Sequence, residues 1–293
     1  MVRHPLVRRV AARGAIAVLF AALVLTTSPV AAPAAPALAL AVDGASRASK
    51  APVVVIVMEN HEYGSIVDSS GAPYLKRFAR RGTFFTHFHA LHHPSLPNYL
   101  EMTSGQTNGC GSDGCAKARF RTSSVFSQLS HNRIRWASWV ESMGSRCRMT
   151  SRGTYASWHN PALYYRNLVP RMCRRHDVPY PRHLPRPLPR FVFAVPNLCH
   201  DMHDCSIATG NKWLKHHVPP LLHRGAIVII TFDEGVTDLG GGGHIYTAMR
   251  GPGVPHRRDA RTYSHRGLLA GIERHFGLRR LNGARRARPL PVP

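Results

Sequence analysis

Two long apolar runs dominate the pattern of this chain, and both end in acid. Val53-Val54-Val55-Ile56-Val57-Met58 leads into Glu59-Asn60, and Ala226-Ile227-Val228-Ile229-Ile230-Thr231-Phe232 leads into Asp233-Glu234-Gly235. Unbroken β-branched runs of this length predict strands buried on both faces, as in a parallel sheet covered by helices. Helical spacing of Pro73, Tyr74, Leu75 and Phe78 predicts a helix over 72–81, and Thr83–His89 reads as a strand. Further along, the pattern predicts helices over 96–104, 123–130, 207–218 and 266–276, and strands over 135–141, 191–195 and 245–249. Alternating strands and helices imply an α/β fold with a mostly parallel central sheet and helices on both faces.

The intervals between these elements are informative too. Residues 110–121 are a Gly/Ser-rich excursion, and four glycines precede His244. Residues 144–190 are rich in proline, arginine and aromatics, and read as an irregular insertion over the active face of a single domain spanning 42–293. Unstructured stretches of that length in a compact domain are usually functional or disordered.

The first 41 residues carry arginines at 3, 8, 9 and 13, an apolar core over 15–25 and small-residue cleavage sites near Ala32, Ala39 and Ala41. This is the layout of a secretory signal peptide, with an uncleaved anchor as the alternative. Six cysteines at 110, 115, 147, 173, 199 and 205 agree with export to an oxidising compartment. Proximity in sequence favours Cys110–Cys115, Cys147–Cys173 and Cys199–Cys205. A zinc cluster competes less well, because no C-x-x-C is present. The net charge of +24 falls to +20 once the four arginines of the leader are removed. Such a surface attracts polyanions, among them anionic membrane lipid. An arginine-rich composition can equally reflect a GC-rich genome, and nucleic acid as a partner is disfavoured.

Candidate chemistry lies at the carboxyl ends of the two long strands, where open α/β sheets bind ligands. Oxygen ligands there are placed to share one hard cation. Between the two runs, His93-Pro94-Ser95-Leu96-Pro97-Asn98-Tyr99 sets a serine in a proline-braced turn at a helix start. A nucleophilic serine needs a fixed exposed hydroxyl, a route for its proton and donors for the transferred phosphoryl oxygens. Helix amides around 97–100 and the Asn98 side chain are candidate donors. The alternative is a plain N-capping serine.

Ser95-x-Pro97-Asn98 followed by Ser104-Gly105 resembles the nucleophile turn of the alkaline-phosphatase-like superfamily. Glu59-Asn60, Asp233-Glu234-Gly235, Tyr263-Ser264-His265 and Ile272-Glu273 with Phe276-Gly277-Leu278 resemble one branch of it. That branch is the bacterial phosphoesterase family of non-specific phospholipases C and secreted acid phosphatases. His159-Asn160-Pro161 and the run from Pro196 to Cys205 resemble its short acid-phosphatase members. The resemblance implies one divalent metal held by Glu59, Asn60, Ser95, Asp233 and Glu234, and a phosphoseryl intermediate on Ser95. An all-oxygen shell favours magnesium, calcium or manganese over zinc. His203 is expected as general acid to the leaving alkoxide or as a phosphate donor, with Asp201 and Asp204 able to orient a histidine or to ligate a second metal. His159 is a candidate for the pocket wall, and His244 is left without an assigned role. The implied activity is hydrolysis of phosphate monoesters, phosphoinositides included. A phospholipase C-type phosphodiesterase is the first alternative, and a binding module for anionic lipid or nucleic acid the second.

Overall fold

The computed structural model describes residues 51–293; the leader segment expected at 1–41 lies outside the described residues. Eight strands form one sheet in the order β4-β3-β5-β1-β6-β7-β2-β8. They are β1 (Val53–Met58), β2 (Thr83–His89), β3 (Trp136–Val140), β4 (Asp177–Pro179), β5 (Phe191–Val195), β6 (Ile227–Phe232), β7 (Thr247–Arg250) and β8 (Arg257–Ser264). β7 alone runs antiparallel to its neighbours, so the sheet is mostly parallel. At its centre Val53 pairs with Phe191 on one side and Ile227 on the other, and every residue of β1, β5 and β6 is buried. Consecutive side chains point to opposite faces, so complete burial means both faces are covered.

The covering helices are α1 (Tyr63–Val67), α2 (Pro73–Arg80), α3 (Ser95–Ser104), α4 (Val125–His131), α5 (Arg171–His176), α6 (Ile207–His223) and α7 (His265–His275). α2 packs on α6 and β7, while α3 packs on α4 and α7. α6 extends past Val218, where the predicted helix ends, and carries Pro219 and Pro220 inside it. The amides missing there would have bonded the carbonyls of Lys215 and His216, two exposed residues, and buried Leu221 anchors the last turn.

Two strands carried no apolar signal. β8 exposes Arg257, Arg258 and Arg261 and buries only Asp259 and Tyr263. Its pairing with β2 is a main-chain matter, invisible to hydrophobic periodicity. β4 and α5 lie inside the stretch 144–190, so that stretch is not wholly irregular: it adds an edge strand to the sheet. It also places Tyr155, Tyr164 and Tyr165 in the core. Disulfides join Cys110–Cys115, Cys147–Cys173 and Cys199–Cys205, the pairing that proximity favoured. Among the described residues no cysteine is free and no helix is long and apolar enough to cross a membrane.

Candidate active site

The register of β1 on β6 ends with Met58 opposite Phe232, so the next residues of each strand emerge side by side at the sheet's carboxyl edge. Those residues are Glu59 and Asp233. The Asp233 amide donates 2.9 Å to the Met58 carbonyl, and the Asn60 amide donates 3.1 Å to Asp233 Oδ1. Asn60 takes a positive φ of 50°, which asparagine tolerates, and this bends the chain away from the strand. A third carboxylate arrives from the segment after β5, where the Glu59 amide donates 2.9 Å to the Asp201 carbonyl. Glu234 is the fourth, and the tight turn beyond it requires glycine. A Cβ on Gly235 would stand 2.1 Å from Glu62 Oε2, which ties down the loop by accepting from Val236 and, through its other oxygen, from Thr237 and His244.

Ser95 is the first residue of α3. Its hydroxyl donates to Glu59 Oε2 at 3.1 Å and reaches Glu234 Oε1 at 3.5 Å. One helical turn on, the Tyr99 hydroxyl donates to the other Glu59 oxygen. His159 inserts between two acids, with Nε2 3.4 Å from Glu59 Oε2 and Nδ1 3.6 Å from Asp201 Oδ2. Its ring stacks on Tyr99 at 5.3 Å. His93 Nδ1 meets Glu234 Oε2 at 2.8 Å, and His265 Nε2 meets the Asp233 carbonyl at 2.6 Å.

The electrostatics of this cluster are lopsided. Glu59, Asp201 and Asp233 are fully buried. Burial, then repulsion from Asp233 and Asp201, holds the Glu59 carboxyl well above the ordinary range. Burial likewise raises Asp233, and lifts Asp201 to about 8 and, with repulsion from Asp233, Glu234 to about 7. His159 brings no compensating charge, since burial lowers it to about 4 and leaves it neutral. At His93, burial opposes the charge, but the Thr237 carbonyl and Glu234 outweigh it and raise its pKa. Asp233 Oδ2, Asp201 Oδ2 and the Asn60 Oδ1 are buried without a hydrogen-bond partner. Unpaired buried oxygens converging in a region of negative charge are costly unless a cation joins them. The donor set therefore fits a hard divalent ion, and Glu59, His159 and Asp201 also present atoms close enough to share one. The other grouping, Cys147, Cys173 and Asp177, is ruled out as a metal site by its disulfide.

The structure thus brings Glu59, Asn60, Ser95, Asp233 and Glu234 to one place. His203 stands beside them, its ring 6.0 Å from that of His159 and its Nδ1 2.6 Å from Asp204 Oδ1. Three expectations need correction. The Asn98 side chain is not turned toward Ser95: its Oδ1 accepts from the Leu91 and His92 amides and its Nδ2 donates to the His92 carbonyl. It braces the loop that delivers the serine. The amides of 97–100 are not donors either, because Pro97 has none and the later ones lie inside the helix; the N–H groups outside the helical ladder are those of Ser95 and Leu96, and the latter donates to Asp113. His159 lies between carboxylates rather than along a pocket wall. His244 lies elsewhere, stacked on Tyr63 at 4.2 Å with Nε2 on the Thr86 carbonyl.

Four participants had escaped the sequence reading. Tyr99 had a usable signal, since residues four apart share a helix face. His265 stands in the Tyr263-Ser264-His265 motif, which marks the segment without assigning the ring a role, whereas His93 and Asp113 are placed by tertiary contacts alone. Asp113 arrives on the Cys110–Cys115 loop, where its Oδ1 accepts from the Leu96 amide at 2.8 Å.

Comparison with known proteins identifies relatives of this chain. The family model described as the phosphoesterase family matches residues 67–279. A phosphatidylinositol-3-phosphatase of Mycobacterium tuberculosis is 29% identical over 248 residues, covering 82% of this chain and 81% of that protein. A phosphate-repressible acid phosphatase of Penicillium chrysogenum is 25% identical over 70% of this chain, which spans only 54% of that relative's length. Among solved structures, a protein of the alkaline phosphatase superfamily from Vibrio parahaemolyticus superposes with a TM-score of 0.56 at 11% identity, covering 83% of this chain and 71% of that one. A lipoteichoic acid synthase of Listeria monocytogenes gives 0.57 at 10%, covering 82% and 77%. Likeness at that level of identity concerns the fold alone.

Proposed function

The chain belongs to the phosphoesterase family and is a phosphoric ester hydrolase, and we propose that it is an exported, metal-dependent acid phosphatase acting on phosphate monoesters through a phosphoserine intermediate. The observation that carries this reading is the Ser95 hydroxyl set at the head of α3 against the buried, cation-seeking acids Glu59 and Glu234. Glu59, Asn60, Ser95, Asp233 and Glu234 would hold one divalent ion of the magnesium, calcium or manganese type. When bound, that ion supplies positive charge to a serine alkoxide and to phosphoryl oxygens.

The chain's own groups account for the rest. Ser95 Oγ forms the bond to phosphorus as its proton passes to Glu59 Oε2, the acceptor it already faces. The ester P–O bond breaks, and the leaving oxygen takes a proton from His203. Asp204 at Nδ1 orients that ring and leaves Nε2 for the transfer. In the second half His203 Nε2 removes a proton from water, whose oxygen attacks phosphorus, and Glu59 Oε2 returns its proton to Ser95 Oγ as the bond from phosphorus to serine breaks and phosphate departs. Tyr99 and His159 fix the Glu59 carboxylate from two sides.

The mycobacterial relative acts, by its name, on a phosphoinositide, which supports a lipid-linked monoester as one substrate. The three disulfides and the leader-like composition of residues 1–41 support export. Ser95→Ala tests the central claim with p-nitrophenyl phosphate. Turnover should fall by about 10⁴-fold or more with the fold intact. Activity above about one per cent of wild type would exclude Ser95 as the nucleophile, because that loss is too small for a removed nucleophile.

A further inference from the structure

The first turn of a helix leaves its leading amides without intrahelical partners. In α3 those positions are Pro94, Ser95, Leu96 and Pro97, and the two prolines have no N–H to offer. Only Ser95 and Leu96 can donate from this end. The amide that follows a nucleophile is well placed for an oxygen of the group under attack. In this chain the Leu96 amide is already engaged, donating 2.8 Å to Asp113 Oδ1.

Asp113 is not a neighbour by accident of a long loop. The Cys110–Cys115 disulfide closes a ring with a sequence separation of 5, and buried Cys110 anchors it. The negative charge of Asp113 is felt by Glu234 beyond β6, by His159 and by Tyr164. Neither of the first two supplies a positive charge against it, since Glu234 is acidic and His159 is neutral, and the Lys117 ammonium lies over the Tyr164 ring, 5.4 Å from its centroid. A tethered carboxylate therefore occupies the place where a phosphoryl oxygen would be received.

We propose that Asp113 is a specificity-determining residue that disfavours doubly charged phosphoryl groups relative to singly charged ones. The proposal rests on the phosphatase reading above. A substrate oxygen gains the Leu96 amide only by displacing Asp113, and a dianion beside it meets a like charge. A phosphate monoester passes from one charge to two near pH 6, whereas a diester keeps one charge throughout. Asp113 thus matches the site to the singly charged monoester that prevails in acid.

Asp113→Asn tests this, because asparagine keeps an acceptor for Leu96 and removes only the charge. The measurement is kcat/KM at pH 8 for p-nitrophenyl phosphate and for bis(p-nitrophenyl) phosphate, using metal-replete protein. The monoester-to-diester ratio should rise about tenfold, the effect expected for like charges a few ångströms apart in a partly screened site. A second measurement needs no turnover. Inorganic phosphate is titrated calorimetrically at pH 8 into Ser95→Ala and into Ser95→Ala/Asp113→Asn, where binding should be about tenfold tighter in the latter. An unchanged or lower ratio, or an unchanged or weaker phosphate affinity, overturns the proposal. If the wild type hydrolyses neither ester, the phosphatase reading fails, and phosphate affinity alone still decides the role of Asp113.

Discussion

Replacing Asp177 with asparagine should make the protein more stable in neutral solution, with a gain that shrinks steadily as the solution is made more acidic. Asp177 opens β4, is fully buried and faces no basic side chain; Oδ2 accepts from the Asn160 amide at 2.9 Å and Oδ1 has no partner. Burial lifts its carboxyl from 3.8 to about 7. Between those values the folded chain holds a proton that the unfolded chain releases, so stability is greatest below the unfolded value and declines as pH rises through the folded one. A displacement of about three units corresponds to roughly 4 kcal/mol, an upper figure because local relaxation and water entry would reduce it. Asparagine keeps the acceptor for Asn160 and cannot ionise. Scanning calorimetry of wild type and Asp177→Asn at pH 5 and pH 8 isolates the effect, since other buried acids such as Glu273, raised to about 8, cancel in the comparison. At a few degrees per kcal/mol, we expect the variant to gain about 5 °C or more in Tm at pH 8 and less than half as much at pH 5, where only roughly 1.6 kcal/mol of the penalty has been incurred. A difference in Tm that is the same at both pH values would refute the argument.

Chelation should abolish phosphatase activity and also lower Tm, because Glu59, Asp201 and Asp233 would be left to repel one another; recovery of both on adding magnesium, calcium or manganese is the check. Mass spectrometry of protein from the culture medium should show an N-terminus between Pro33 and Val42 and no free thiol, and six reactive thiols in native protein would contradict the bonded pairing. Phosphoinositide hydrolysis on vesicles should weaken between about 0.1 and 1 M salt, over which the screening length falls from about 10 to 3 Å. Turnover of p-nitrophenyl phosphate should change far less, and equal salt dependence would show that the basic surface does not dock on membranes.

What could be read from the sequence follows from where each signal resides. β1 and β6 are legible because burial on both faces writes itself as unbroken Val and Ile, and their acidic ends point to the site directly. The nucleophile turn is legible because prolines and a short motif are local. β8 is not, since main-chain bonds to β2 hold it in place and arginine is acceptable on an outer edge. Asn98 was assigned to the wrong partner because its neighbours in sequence, Leu91 and His92, fold back onto it. Asp113 lay hidden in a Gly/Ser stretch whose shape is set by a disulfide, and only three-dimensional closure brings it to Leu96. His159 illustrates the same limit: its stretch of sequence looks irregular, and its value comes from meeting Glu59 and Asp201.

The two outermost strands bear on how the protein behaves among many copies of itself. An open sheet can recruit strands from other molecules at either margin. Here one margin is a three-residue strand ending in Pro179, which has no amide to offer. The other is β8, whose outward arginines would have to be brought against those of any identical chain that tried to add to it. Asp259, facing inward, binds Arg257 and Arg261 and keeps that positive comb in register. The strand that hydrophobic patterning overlooked is thus the one that keeps copies of this enzyme apart, and colloidal solubility is built into the same residues that deny β8 an apolar signature.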